Sequence, residues 1–445
     1  MRSVGRWITF GAIALSLLWA GSLTANEVGP KNIILMIGDG FGAEQAKAGR
    51  LLTPGGQLVL DQLDPNPGWV NTLDVFGDIT DSAAGATAYA TGFKTEYGKV
   101  SVDENDVVLP TNMEAAQDKG MATGILSDVY LCDATPGVWL AHSPTRSCSI
   151  IIPQQVDACA DVFLGPGDKV AYGPTGGPYG RPDYIRMLVD DCNYQYVKNP
   201  SKLAQAQAPN DRLLGIWGGY TLMYNIDRQN DPGINVPTLA EMTAKAIEVL
   251  SRDPDGFFLV VEGGAIDWMA HNKDIAGTAR DVVAFDDAVS VAYDFARADG
   301  GTLLIVTADH ETGGLEVGDS PNAAFIAGVT ASTDFMWGLV HRDGLNVEDV
   351  LETYAGVGVT SPPLTQQEKD AIAAYGEMAI SDALSVRANV AWILPTGVPS
   401  VAPDEGDHTA VDVPVWAYGP GSEPLEGNIQ NTVIGNVLFD AVNGN

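Results

Sequence analysis

The sequence predicts a doubly wound α/β fold, a mostly parallel central sheet flanked by helices. Three apolar runs, NIILMIGDG, FFLVVEGG and LLIVTADHETGG, each close on glycine and an acidic residue, as strands buried on both faces of a parallel sheet do. Between them lie stretches with helical spacing of apolar residues, and this alternation implies parallel strands joined by crossover helices. Ligands bind at the carboxyl ends of such strands, where Asp39, Glu262 and Asp309 fall, with Asp267 and His310 close by. A cluster of metal-binding carboxylates is the first expectation.

Taken in order, the chain opens with Arg2 and Arg6, an apolar stretch from Phe10 to Trp19 and small residues from Ala20 to Ala25. That is the layout of a signal peptide, too short for a comfortable membrane span, with cleavage expected near Ala25 although Leu23 fits the small-x-small rule poorly. No other uncharged run approaches spanning length. The mature chain, residues 26–445, is therefore expected to be exported, periplasmic or extracellular, without a membrane span.

The first strand runs up to Asp39, and the alanine-rich DSAAGATAYATG reads as a helix starting near Ser82. In PTLAEMTAKAIEVLSRDPDG, Thr238 and Glu241 form a capping box, and Leu239, Met242, Ala246 and Leu250 make one apolar face. The next turn leads into the strand Phe257–Val261. Residues 315–407 break the rhythm with two helical patterns, about Asn346 to Tyr354 and Thr365 to Val390, between proline-rich ends. This segment reads as a cap or lid inserted in a single domain ahead of the last strand, VPVWAYG; a surface insertion without a chemical role is the alternative.

Cys132, Cys148, Cys159 and Cys192 lie in one stretch, none with a CxxC zinc spacing, and in an exported protein they are expected to form structural disulfides. Cys148 and Cys159 close a short loop and are the expected pair, while Cys132 with Cys192 completes one of three possible connectivities. The 445 residues are 45% hydrophobic, enough for one large domain. Their 57 acids against 24 Lys and Arg give a net charge of −33, which becomes −35 once Arg2 and Arg6 leave with the signal peptide. So acidic a chain is no nucleic-acid binder, and it would need local cations to admit an anionic substrate. Scarce lysine suits a saline setting.

Histidine carries the sharpest chemical signal. Only five occur, at 142, 271, 310, 341 and 408, and three lie beside acids at strand or helix ends. Asp267 and His271 are spaced i, i+4, on one helical face. Asp309 and His310 follow a strand, and His408 lies in DEGDHTAVD just before VPVWAYG. Carboxylate with imidazole is a zinc-type ligand set, whereas any one such pair alone would be an ordinary surface pair. Ser82 supplies a nucleophile at a helix N-terminus, where amides favour an anion and a nearby metal ion would lower the hydroxyl pKa. The plainer reading is that Asp81 or Ser82 only caps that helix.

DGFG around Asp39, TDSAAGATAYATG around Ser82, DATPGVWLAHSPTR from Asp133 to Arg146, VEGGAIDWMAH from Glu262 to His271, TADHETGG and DHTAVDVPVWAYG together resemble, in order, the alkaline phosphatases. The likeness covers nearly all the mature chain except 315–407. It implies two zinc ions and one magnesium. Asp267, His271 and His408 would hold the first zinc, and Asp39, Asp309, His310 and the Ser82 hydroxyl the second. Asp39, Thr135 and Glu262 would hold magnesium, with Asp133 binding directly or through water.

The resemblance also implies that small phosphate monoesters are the substrates, that Ser82 attacks phosphorus in line to form a phosphoserine, and that Arg146 grips two phosphoryl oxygens. Family members are commonly dimers, so a homodimer is a further expectation. After Asp267 the family carries lysine in some bacterial members and histidine in animal ones. Trp268 brings no charge there, which predicts a weaker hold on product phosphate unless it simply packs beside the ligands. A phosphodiesterase or sulfatase of the same superfamily, or an inactive phosphate- or metal-binding protein, are the alternatives. No CxPxR-like or SxPxR-like setting surrounds Ser82, and both Ser82 and Arg146 accompany a full ligand set.

Overall fold

The computed structural model describes residues 29–63, 67–167, 183–208, 210–219, 221–231, 233–393 and 408–444; the expected signal peptide and residues 394–407 lie outside them. In chain order the strands are β1 (Asn32–Gly38), β2 (Gly68–Asn71), β3 (Ala122–Ser127), β4 (Val162–Pro166), β5 (Gln195–Tyr196), β6 (Leu213–Trp217), β7 (Phe257–Gly263) and β8 (Thr302–Thr307). Four two-residue strands follow, β9 (Glu311–Thr312), β10 (Leu315–Glu316), β11 (Ala391–Trp392) and β12 (His408–Thr409), then β13 (Val413–Tyr418) and β14 (Asn428–Gln430).

Ten of these form one sheet in the order β14-β2-β13-β8-β1-β7-β3-β4-β6-β5. Only β13 runs antiparallel to its neighbours, β2 and β8. Later strands lie on both sides of β1, with β7, β3, β4, β6 and β5 on one side and β8, β13, β2 and β14 on the other, the doubly wound pattern expected. β1, β7 and β8 are buried along their whole length, which is why their sequences are almost unbroken apolar runs. Burying each of Ile33, Ile34, Leu35, Met36 and Ile37 contributes about 1.5–3 kcal/mol.

Register then levels the strand ends. Ile37 pairs with Glu262 on one side and Thr307 on the other, and Ser127 of β3 pairs with Glu262. The residues that end or follow β1, β7 and β8 therefore emerge together at one edge. Behind them, the helix Leu239–Leu250 has the predicted Thr238–Glu241 capping box, buries its predicted apolar face and packs on the helix Ile275–Asp299.

The described part of the 315–407 segment holds five helices, Ala323–Gly328, Thr333–His341, Val347–Ala355, Gln366–Tyr375 and Glu377–Ala388. The single pattern expected over Thr365–Val390 breaks at Gly376, where φ is 64° and a Cβ would lie 2.9 Å from the Trp337 ring. Phe325, Met336, Leu351, Ile380 and Leu384 form a second apolar cluster with Ile275, Ala276 and Ala279, seating the segment on the first turns of the helix Ile275–Asp299. Asp274 caps that helix through the Ala276 and Gly277 amides, and its other oxygen accepts the Thr333 amide at 2.8 Å.

The disulfides correct the expected pairing. Cys132 bonds Cys148 and Cys159 bonds Cys192. Cys148 and Cys159 stand at opposite ends of the helix Cys148–Ala158, roughly 16 Å apart at 1.5 Å per residue, far beyond bridging distance. A short loop in sequence is a long rod once it is helical. Among the described residues, no helix is long and apolar enough to cross a membrane.

Candidate active site

Asp39 follows β1, and its amide donates to the Gly263 carbonyl at the end of β7 (3.2 Å), which ties the two strand ends. Gly40 then turns the chain at φ 68°, where a Cβ would lie 2.8 Å from both Asp267 Oδ1 and Thr312 Oγ1. Asp309 and His310 leave β8 fully buried. The short helix Ala265–His271 carries Asp267 and His271 on one face, as their spacing predicts. Pairing of His408 in β12 with Thr312 in β9 returns the chain to this edge, where the His408 and His310 rings stack 3.6 Å apart.

Two cages result. In one, His310 Nε2 lies 3.4 Å from Asp39 Oδ1, 3.4 Å from Asp309 Oδ2 and 3.3 Å from Ser82 Oγ. In the other, His271 Nε2 lies 3.3 Å from Asp267 Oδ2 and 3.3 Å from His408 Nε2, with Asp267 Oδ1 3.9 Å from His408 Nε2. Ligands placed 2.0–2.1 Å from a tetrahedral zinc are about 3.3–3.4 Å from one another, so the donor spacing suits a small cation in each cage.

The donors are also in the right form. His408 Nδ1 lies 3.0 Å from the Thr80 carbonyl, to which it must donate, leaving a lone pair on Nε2. Thr312 Oγ1 donates to Asp267 Oδ1 (2.5 Å) and so accepts from His310 Nδ1 (3.2 Å), which leaves His310 Nε2 bare as well. Asp39 Oδ1 and Asp309 Oδ2 are buried without a hydrogen-bond partner. Buried anionic oxygens facing lone pairs cost several kcal/mol each unless a cation joins them.

A third group uses oxygen alone. Glu262 Oε1 is buried and unpartnered while its other oxygen accepts the Ser127 hydroxyl, and Thr135 Oγ1 lies 3.4 Å from Asp39 Oδ2. Asp133 stands beside them and accepts from the Ala134 amide at 2.8 Å. Such a set suits a hard cation like magnesium.

Electrostatics follow from this crowding. Burial, reinforced by Asp309, Asp267, Glu262 and Asp133, pushes the Asp39 carboxyl well above its usual range. Burial and then Asp133 do the same to Glu262, and burial with Asp267 lifts Asp309 to about 7. Burial works against ionisation of Asp267 too, but His271, through its charge and its hydrogen bond, overcomes it and holds that carboxyl low. Burial pushes His310 and His408 down, keeping both imidazoles neutral ligands.

Asp81 rather than Ser82 caps the helix Ser82–Thr91, its Oδ1 accepting the Ala84 and Gly98 amides at 3.0 Å each. Ser82, at the first helical position, is left to face His310. Asp81 Oδ2 receives Arg146 Nη1 at 3.1 Å, and Asp133 Oδ1 receives Nη2 at 2.9 Å. The guanidinium is thus fixed between two carboxylates while its side chain stays 34% exposed.

Every residue expected in the site is brought to this edge. Asp81 as the anchor of Arg146, Thr312 and Ser127 were not singled out by sequence; their only signal is position inside the same motifs. His142 and His341 stand elsewhere, the first bonded to Glu114 and the Ser101 carbonyl, the second stacked on Trp337. Trp268 packs its ring 5.9 Å from that of Tyr130 and lines a cleft of about 850 Å³ with Trp217 and Tyr224.

A mostly parallel sheet whose carboxyl edge carries two carboxylate–imidazole groups with metal-ligand spacing beside a buried serine is the arrangement of a hydrolase of the doubly wound α/β class. The alkaline phosphatase family profile matches residues 30–443. Alkaline phosphatase 3 of Bacillus subtilis is 32% identical, over 98% of this chain and 96% of its own. A solved cold-active alkaline phosphatase from a psychrophilic Shewanella superposes with a TM-score of 0.79 at 29% identity, covering 92% of this chain and 99% of its own. A mutant of the Antarctic TAB5 alkaline phosphatase with magnesium bound in its M3 site superposes with a TM-score of 0.64 at 25% identity, over 94% of this chain and 99% of its own. The chain belongs to the alkaline phosphatase family and is a phosphoric monoester hydrolase.

Proposed function

We propose that the exported protein hydrolyses small phosphate monoesters to alcohol and inorganic phosphate through a phosphoserine on Ser82, with two zinc ions and one magnesium. The observation that carries this reading is the convergence of Ser82 Oγ, Asp39 Oδ1 and Asp309 Oδ2 on His310 Nε2, within 3.4 Å, beside the fixed Arg146. Asp267, His271 and His408 would hold one zinc, Asp39, Asp309, His310 and Ser82 the other, and Asp39, Thr135, Glu262 and Asp133 the magnesium. Bound there, these ions would offset phosphoryl charge and lower the pKa of a hydroxyl or water.

Arg146 presents a planar fork to two phosphoryl oxygens. Ser82 Oγ gives its proton to solvent water and attacks phosphorus, and the bond to the alcohol oxygen breaks on the side of Asp267, His271 and His408. The departing alkoxide takes a proton from water. A water oxygen then attacks phosphorus from that same side, the Ser82–phosphorus bond breaks, and Ser82 regains its proton. Asp274, three residues beyond His271, caps the helix Ile275–Asp299 and accepts the Thr333 amide of the 315–407 segment, which supports reading that segment as a cap. Trp268 adds no cation, so Trp268→Lys is expected to tighten inhibition by phosphate.

The test is hydrolysis of a chromogenic monoester by wild type and Ser82→Ala, before and after chelation and after zinc and magnesium are restored. Turnover that chelation abolishes, metals restore and Ser82→Ala loses is the expected result. No turnover by the fully metallated wild type would refute the reading.

A further inference from the structure

One hydroxyl touches a ligand residue of each cage. Thr312 Oγ1 donates to Asp267 Oδ1 at 2.5 Å and stands 3.2 Å from His310 Nδ1. Its surroundings are built around that double contact. Thr312 is fully buried, its amide donates to the Gly40 carbonyl at 3.3 Å, and Gly40 lacks the Cβ that would lie 2.8 Å from both partners of the Thr312–Asp267 bond. Its register partner across β9 and β12 is His408, a third ligand residue.

We propose that Thr312 is a positioning residue that couples the two cages, so that an ion bound in one raises affinity for an ion in the other. A hydroxyl has one proton to place. Directed at Asp267, it orients that carboxylate and accepts from His310 Nδ1–H, which points a bare Nε2 at Asp39 and Asp309. Turned the other way, it donates to Nδ1, puts the imidazole proton on Nε2 and releases Asp267. The first arrangement makes both cages competent and the second makes both defective. Ion binding at either cage selects the first, and that selection is felt at the other.

The inference rests on the reading that these cages hold divalent ions, and one experiment separates the two. The mature protein, as wild type, Thr312→Val and Thr312→Ser, is titrated with chelator-buffered zinc, and bound ions are counted by native mass spectrometry. Wild type should pass from no zinc to two with little singly loaded protein. Thr312→Val, isosteric but without the hydroxyl, should need about 10–100-fold more free zinc for both ions and accumulate the singly loaded form. Thr312→Ser should follow wild type. Thermal unfolding in chelator reports whether each variant folds, and Thr312→Ala replaces Thr312→Val if that variant does not. A shift in one ion only, no shift, or a serine variant as weak as valine would overturn the coupling while leaving the metal reading intact. A wild type that takes up no zinc would overturn both.

Discussion

Ser82 Oγ lies 3.3 Å from His310 Nε2 although 228 residues separate them in sequence. Helix capping does not explain the contact, because Asp81 takes the capping bonds and Ser82 is free to face the histidine. Ser82→Ala is therefore expected to lower kcat/KM for a phosphate monoester by at least about a thousandfold. It should leave the Asp267, His271 and His408 cage able to bind zinc and the melting temperature within a few degrees of wild type. Steady-state kinetics with metal content measured on the same samples decides it; retained turnover would remove Ser82 from the chemistry.

Arg146 is held at 3.1 Å by Asp81 and 2.9 Å by Asp133, one nitrogen to each. A lysine can satisfy only one of these carboxylates and cannot present a fork to phosphate. Arg146→Lys is expected to raise KM and the inhibition constant for phosphate by about 10–100-fold, a loss of roughly 1.4–2.8 kcal/mol. An equal fall in kcat with unchanged KM would instead mean that the arginine acts only in the transition state.

Much of this site was legible because its residues fall at strand ends. Asp39, Glu262 and Asp309 follow short, β-branched apolar runs that read as buried strands, and register makes their ends level. Asp267 and His271 were legible as one face of a helix. The cysteine pairing was not, because Cys148–Ala158 became a helix whose apolar spacing is interrupted by Pro153 and gives a weak signal. Nor was the role of Asp81, since a cap and an arginine anchor demand the same residue. The break at Gly376 was hidden because helical spacing continues on both sides of it.

The two disulfides should separate by function. Cys132–Cys148 clamps both ends of the stretch carrying Asp133, Thr135 and Arg146, whereas Cys159–Cys192 joins two helix ends farther along the chain. Cys132→Ala with Cys148→Ala is expected to raise KM several-fold as well as lower stability by about 2–4 kcal/mol. Cys159→Ala with Cys192→Ala should lower stability similarly with kinetics unchanged. Unaltered KM in the first pair would show that the segment is held by its hydrogen bonds alone.

Away from the two carboxylate–imidazole cages, Asp281 predicts how stability changes with pH. It is 2% exposed; Oδ1 accepts the Asn225 amide (3.0 Å) and Nδ2 (2.7 Å), while Oδ2 is buried without a partner. Burial pushes its carboxyl up to about 7, opposed by the Asn225 hydrogen bonds and aided by Asp128 and Asp227. A carboxyl raised in the folded protein above its unfolded value of about 3.9 adds stability below that value and loses it as pH climbs through about 7. Its ionisation costs on the order of 4 kcal/mol at most by pH 9. Asp281→Asn keeps the acceptor for Asn225 but leaves a buried amide donor without a partner, a cost of about 1–3 kcal/mol at any pH. Wild type has lost little of that stability near pH 4 and nearly all of it by pH 9, so the variant should melt below wild type near pH 4 and above it near pH 9. Residual slope in the variant belongs to the other carboxyls that burial raises, among them Asp128, Asp227 and Asp286 at about 6 and Asp309 and Glu377 at about 7. Parallel melting curves across that pH range would mean that Asp281 does not titrate inside the fold.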